Sequence, residues 1–223
     1  MNPGAAIRAR RLAVAAAITL AIGLALSAFA RVDPVAARDI NLTSWLHERA
    51  LENDVVASAA LEVTALGDPI TLTVLVVVVA AWFALRRERR MALWLVSVTL
   101  FASIVGRATK LLVGRSRPDL DTALLEPASE SFPSGHALNT TVVLGAVTIA
   151  LVVSATSRRA LAVPIAAGGA ASVALAVGLT RPVLGVHFVA DIVAGWLLGV
   201  VWLVLVRPRR DAEVRPEQEP TSV

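Results

Sequence analysis

KLLVGRSRPDLDTALLEPASESFPSGH, residues 110–136, is a polar stretch set between two long apolar runs, and its position decides how the chain is read. The run before it, residues 91–113, and the run after it, residues 135–154, are each long enough to cross a hydrocarbon core of about 30 Å as a helix rising about 1.5 Å per residue. Between them the loop gathers Lys110, Arg115, Arg117 and His136. It ends in Pro133-Ser134-Gly135-His136, a helix-start signal. Basic residues meeting a helix N-terminus suggest an anion site held against a membrane span.

The composition agrees with a membrane setting. Hydrophobic residues make up 57% of the 223, above the roughly 45–50% usual for soluble domains, and the mean hydropathy is +0.72. A pI near 11.1 resembles a nucleic-acid binder. The net charge is only +4, however, and most arginines stand in short clusters beside apolar runs, so membrane topology accounts for them and no nucleic-acid partner is expected. Cysteine is absent, which excludes disulfides, thiolate metal sites and cysteine nucleophiles. Tyrosine is absent too, and the only histidines are His47, His136 and His187.

Outward from the loop, six spans are predicted: residues 12–30, 70–85, 91–113, 135–154, 160–179 and about 187–206. The first, behind Arg8, Arg10 and Arg11 and ending in Ala28-Phe29-Ala30, also resembles a cleavable signal peptide. Residues 31–68 are mixed, with Asp33-Pro34 as a breaker and an amphipathic, helix-like piece from Asn41 to Leu66 suited to the membrane interface. His47, among charged neighbours there, reads as a solvated surface histidine. Six spans place the N-terminus, the 86–90 cluster, Arg158-Arg159 and the arginines at 207, 209 and 210 on one side, which the positive-inside rule assigns to the cytoplasm. The expected architecture is all-α: a cytoplasmic tail at 1–11, a six-helix transmembrane domain at 12–208 and a disordered cytoplasmic tail at 209–223, in the cell (inner or plasma) membrane. Residues 110–135 and 180–186 then share the extracytoplasmic face. No internal repeat supports an inverted-repeat transporter.

Charges at a span cost about 2.5–3.5 kcal/mol each at its centre and call for a reason. Asp191 stands four residues after His187, a spacing that puts both on one helix face. Its carboxylate there accepts the Nδ1 proton and leaves Nε2 as nucleophile or base, unless the pair merely satisfies itself. Lys110, Arg117 and Arg181 add three cations that repel one another without an anion, and phosphate suits them. Gly114 and Pro118 interrupt any helix between Lys110 and Arg117, which turns Arg117 back. Ser134 reads as an N-cap, Gly135 permits close backbone approach, and His136 in the first turn is placed to give a proton to a leaving oxygen.

Lys110-x6-Arg117-Pro118, Pro133-Ser134-Gly135-His136 and Thr180-Arg181-x5-His187-x3-Asp191 together resemble the three-part signature of the type-2 phosphatidic acid phosphatase superfamily, shared with bacterial acid phosphatases and vanadium haloperoxidases. The resemblance covers roughly residues 67–206, with Thr180 where the family usually has serine. It implies that His187 attacks phosphorus to form a phosphohistidine, Asp191 supports it, and His136 protonates the leaving group. It also implies that Lys110, Arg117, Ser134, Gly135 and Arg181 hold the phosphate oxygens. No metal or other cofactor is expected. Asp119, Asp121, Glu126 and Glu130 lack ligand-like spacing and read as a solvated rim, while Arg115 and Arg107 read as interface anchors or partners of that rim.

The substrate class implied is a membrane lipid phosphate. The expected external site favours undecaprenyl or another polyprenyl pyrophosphate, with phosphatidic acid or phosphatidylglycerol phosphate as the alternative. A phospholipid or anion transporter, or a non-catalytic lipid-phosphate binder, is the reading of another class, and it leaves the histidine–aspartate pair and the second histidine without a purpose.

Overall fold

A computed structural model describes residues 3–120, 122–125, 129–154 and 162–208. Among them the elements are α1 (Pro3–Ala30), α2 (Asp33–Leu51), α3 (Asp54–Thr64), a 3-10 turn (Ala65–Gly67), α4 (Pro69–Leu85), α5 (Arg89–Val113), α6 (Gly135–Val153), α7 (Ala162–Val183) and α8 (Val189–Val206), with no strand among the described residues. The run Val74-Leu75-Val76-Val77-Val78-Val79 shows what lipid does to local preference. Its β-branched residues favour a strand in water, yet it is helical in α4, because a lone strand in hydrocarbon leaves its amides unbonded.

Five helices are long and apolar enough to cross a membrane, and a sixth crossing follows when α3 with its 3-10 turn and α4, bent by 43°, count as one broken span. The 17 residues of α4 rise about 25 Å, short of the core on their own. Large apolar side chains such as Leu85 (85% exposed) and Ile165 (77%) cover the outside, as lipid-facing positions do. Phe83, Leu95, Val98, Val142, Ala146, Leu198 and Trp202 fill the interior. Indole N–H groups tie α5 to α8: Trp202 donates to the Val98 carbonyl at 3.0 Å and Trp94 to that of Val206 at 2.9 Å. The first helix, α1, contributes Ala15 to this core with Leu12, Ala16, Ile22 and Leu26 packed against it, so it is an integral part of the bundle.

The contact that positions the site is α6 on α8. A Cβ on Gly195 would lie 2.8 Å from Ala137 Cβ and 2.9 Å from the Ser134 carbonyl, and one on Gly199 would lie 2.9 Å from Thr141 Cβ. Two glycines four apart let the backbones meet closely, the common device of helix pairs in lipid. The helix starts come together as a result, and the Ser134 amide donates to the Asp191 carbonyl at 3.0 Å.

Several expectations need correction. The fifth span runs on to Val183, so Thr180 and Arg181 lie in its last turn and not in the loop after it. The sixth begins at Val189, so His187 precedes the helix. The interfacial piece is two helices divided at Glu52-Asn53, where the Asn53 side chain accepts from the amides of Val55 and Val56. His47 is not solvated but 2% exposed. Its Nδ1 meets the Val183 carbonyl at 2.9 Å and its Nε2 meets Thr122 at 3.1 Å, which fastens α2 to the end of α7 and to the α5–α6 loop. The Arg158-Arg159 pair, Asp121, Glu126 and the tail from 209 lie outside the described residues.

Candidate active site

Each side chain is delivered by a local backbone event. Gly114 closes α5 in the left-handed region (φ 56°), with its amide on the Lys110 carbonyl at 2.9 Å, a conformation that glycine adopts without a Cβ penalty. The chain thereby reverses and carries Arg115 and Arg117 back over the helix end, as the Gly114 and Pro118 positions predict. On α6, Ser134 is the N-cap and its hydroxyl accepts from the Ala137 amide at 3.5 Å. The Leu138 amide takes the Ser134 carbonyl, which leaves the first-turn amides of Gly135 and His136 outside the helix's own bonding.

Arg117 Nη1 donates to His187 Nε2 at 3.2 Å. A guanidinium has no lone pair to offer, so Nε2 is the acceptor and the proton of the neutral ring sits on Nδ1. That Nδ1 faces Asp191 Oδ2 and Ser131 Oγ, each at 3.4 Å, the long end of the hydrogen-bonding range. Asp191 is fully enclosed: Oδ2 also accepts from Ser131 Oγ and from the Phe188 amide at 3.0 Å, and Oδ1 accepts from Arg115 at 2.6 Å. Burial foremost, with the Arg117 and Lys110 cations adding to it, holds the His187 imidazole down at about 3 against the pull of Asp191. The ring is therefore neutral near pH 7, with its lone pair on Nε2. Burial likewise lowers Arg117 from the usual guanidinium value.

Lys110 Nζ donates to the Glu130 carbonyl at 2.5 Å, and Arg117 holds the Ser129 carbonyl through Nε at 2.7 Å and the Val186 carbonyl through Nη1 at 2.5 Å. Lys110, Arg117, His187 and Asp191 thus form one connected group, joined to Ser134 through the Asp191 carbonyl. His136 and Arg181 make their bonds on the neighbouring side. His136 Nε2 meets Asp68 Oδ1 at 3.1 Å, and Arg181 donates to Thr64 Oγ1 at 2.7 Å, while its buried Nε has no partner among the described residues. Gly135 lies beside Lys110, whose Cε is 4.0 Å from where a Cβ would stand. The Thr180 hydroxyl donates to the Val177 carbonyl of its own helix at 2.7 Å.

The end of α5, the loop after it and the start of α6 thus meet beside a buried histidine, with Arg181 in the last turn of α7. The profile of the PAP2 superfamily matches residues 91–215. The chain belongs to the PAP2 superfamily. Its class is that of the membrane lipid phosphatases. Among PAP2 relatives, phosphatidylglycerophosphatase B of Bacillus subtilis (strain 168) is 33% identical over 147 residues, covering 65% of this chain and 70% of the relative. An undecaprenyl-diphosphatase of Sulfolobus acidocaldarius is 35% identical over 127 residues, covering 55% and 56%. The crystal structure of a transmembrane PAP2-type phosphatidylglycerolphosphate phosphatase from Bacillus subtilis superposes with a TM-score of 0.77 at 26% identity, covering 86% of this chain and 93% of that one.

Four residues near the PAP2 signature escaped the sequence reading, Asp39, Thr64, Asp68 and Ser131, and a fifth, Arg115, was given the wrong partners. Arg115, read as an interface anchor or a partner of the loop carboxylates, instead bridges Asp191 and Asp39 with its guanidinium. Asp39 and Thr64 come from helices outside the matched region. The available signal was the spacing of Asp39, Thr43 and His47, three polar side chains at intervals of four on one face of α2, all buried.

Proposed function

We propose that the connected group around His187 transfers phosphate from a membrane lipid to Nε2 of His187 and then to water. The observation that carries this reading is the contact of Arg117 with His187 Nε2 while Asp191 stands behind Nδ1. An anion drawn to Arg117 replaces that hydrogen bond with an ion pair and arrives at the one nitrogen that holds a free lone pair. In the first step the N–P bond forms as the bond from phosphorus to the leaving oxygen breaks. His136, at the start of α6, supplies the proton to that oxygen. Asp191 retains the Nδ1 proton and offsets the positive charge that the ring acquires. In the second step water attacks phosphorus, His136 takes its proton, and the N–P bond breaks to release phosphate.

Lys110, Arg117, Arg181 and the amides of Gly135 and His136 supply donors for the non-bridging oxygens, where charge grows in the transition state. The Nε of Arg181, without a partner among the described residues, supports its share in that role. Ser134 contributes through its capping geometry. Donors of this kind do the work of charge stabilisation without a metal ion.

The substrate reading is a polyprenyl diphosphate hydrolysed on the extracytoplasmic face, with both chain termini in the cytoplasm, as the positive-inside distribution of arginines and the relative named undecaprenyl-diphosphatase support. Phosphatidylglycerol phosphate is the second reading, favoured by the names of the relative and the solved structure that overlap most of their length with this chain. Phosphate release from a panel of both lipids and phosphatidic acid, in detergent with EDTA, tests the proposal. Release with EDTA present, lost in His187→Ala, is the expected result. Dependence on added divalent metal, or survival of release in His187→Ala, contradicts the mechanism; no release from any lipid favours a non-catalytic binder or a transporter.

A further inference from the structure

A buried ion-pair network beside the site involves a residue that the phosphate-transfer steps do not use. Arg115 sends Nη1 to Asp191 Oδ1 at 2.6 Å and Nη2 to Asp39 Oδ2 at 2.9 Å, and its guanidinium carbon lies 4.1 Å from the Phe188 ring centroid. The side chains of Arg115, Asp39 and Asp191 are 10%, 4% and 0% exposed. The second oxygen of Asp39 accepts from the Ala190 amide at 2.9 Å, and Thr43, one turn further along α2, accepts from the Val189 amide at 3.3 Å. Helix α2 therefore lays Asp39, Thr43 and His47 against the α7–α8 turn and the first amides of α8, the segment that carries His187.

We infer that Asp39 and Arg115 are positioning residues for the Asp191–His187 couple, with Asp39 supplied by a helix outside the region that defines the family. This inference rests on the reading of His187 as the nucleophile. Two effects follow from the geometry. Arg115 anchors Oδ1 of Asp191, which leaves Oδ2 turned to His187 Nδ1. Asp39 shares the Arg115 charge, so that the three groups together keep one net negative charge instead of none. That surplus charge matters at one moment, when the imidazole becomes cationic on taking phosphate. An Asp191 neutralised by Arg115 alone would support the phosphohistidine poorly, because charges in a buried site interact strongly.

Neither residue touches the lipid in this account, so their loss is expected in turnover and not in binding. Asp39→Asn keeps the shape and an oxygen for the Ala190 amide while it removes the charge. Arg115→Gln removes the anchor, and Arg115→Lys restores the charge with poorer geometry. Initial rates of phosphate release from a detergent-solubilised lipid phosphate, measured over a range of concentrations, separate kcat from KM. Asp39→Asn and Arg115→Gln are expected to lower kcat about 10–100-fold, the range seen when the partner that orients a metal-bound histidine is lost, with KM within about twofold. Arg115→Lys is expected to recover part of that loss. The double variant is expected to be no slower than the worse single variant, since the two act as one unit.

Unchanged kcat in Asp39→Asn overturns the inference, and so does a loss confined to KM, which would make Arg115 a phosphate contact. If Arg115→Gln does not elute from size exclusion as the unmodified protein does, Asp39→Asn alone decides. His187→Ala in the same assay separates the two levels: release that survives it removes the nucleophile reading itself, whereas release that depends on His187 but ignores Asp39 removes only this inference.

Discussion

His187 combines burial with a positive neighbourhood, and both keep its ring unprotonated. The folded protein holds it at about 3, and an unfolded chain at about 6.5, so between those values the unfolded state binds more protons. Stability then rises with pH through that window and is lost as pH falls below about 6.5. The thermal midpoint in detergent is expected to drop between pH 7 and pH 5, and to drop less in His187→Asn; equal slopes in both proteins contradict the assignment. Arg117 invites a different experiment, since it meets Nε2 directly. Arg117→Gln is expected to lower kcat by about 10²–10³, the usual cost of one donor to a developing oxyanion, and a change of less than threefold contradicts its role. Legibility at this scale followed sequence distance. The His187–Asp191 pair was legible from its spacing of four, although the contact comes from the turn before α8 and not from one helix face, whereas Arg115 was misread because Asp39 and Asp191 each stand 76 positions away from it. His47 was misread for the same reason: its charged neighbours in sequence face outward, and its partners, Thr122 and Val183, come from other elements.

At the level of elements, the glycines of α8 matter more than their lack of side chains suggests. Gly195 stands where α6 begins, and a methyl group there would meet Ala137, the Ser134 carbonyl and the Leu138 amide at 2.8, 2.9 and 3.1 Å. Gly195→Ala is expected to destabilise the fold by about 1–3 kcal/mol, the range for overpacking, seen as a lower thermal midpoint. Turnover is expected to fall with it, because the Ser134 cap and the His136 turn shift together. A variant as stable and as active as the unmodified protein contradicts the claim that this contact sets the site. The turn at Gly114 and the cap at Ser134 were legible because helix ends are written in a few adjacent residues. The end of α7 was not, since Thr180, Arg181 and Pro182 read as a loop opening; the helix passes through them, and the Leu184 amide still finds the Thr180 carbonyl at 2.8 Å.

Across the whole molecule, apolar length gave the all-helical bundle directly, with five helices long enough to cross and a sixth crossing only where the bent pair of α3 and α4 counts as one span. Less legible was the inverted face of α2. Ile40, Leu42 and Trp45 are about half exposed while Asp39, Thr43 and His47 are buried, which suits a helix lying at the membrane interface with its polar side turned to the protein. The proposed sidedness is testable with a reporter fused after Arg210, expected in the cytoplasm; an external signal overturns the topology and the external site with it. The central claim is chemical, and trapping the intermediate addresses it most directly. Protein mixed with lipid carrying a labelled terminal phosphate, quenched in alkali and digested, is expected to carry label on the peptide that contains His187, and none in His187→Asn. Label on another residue, or turnover with no labelled protein at any quench time, contradicts the account.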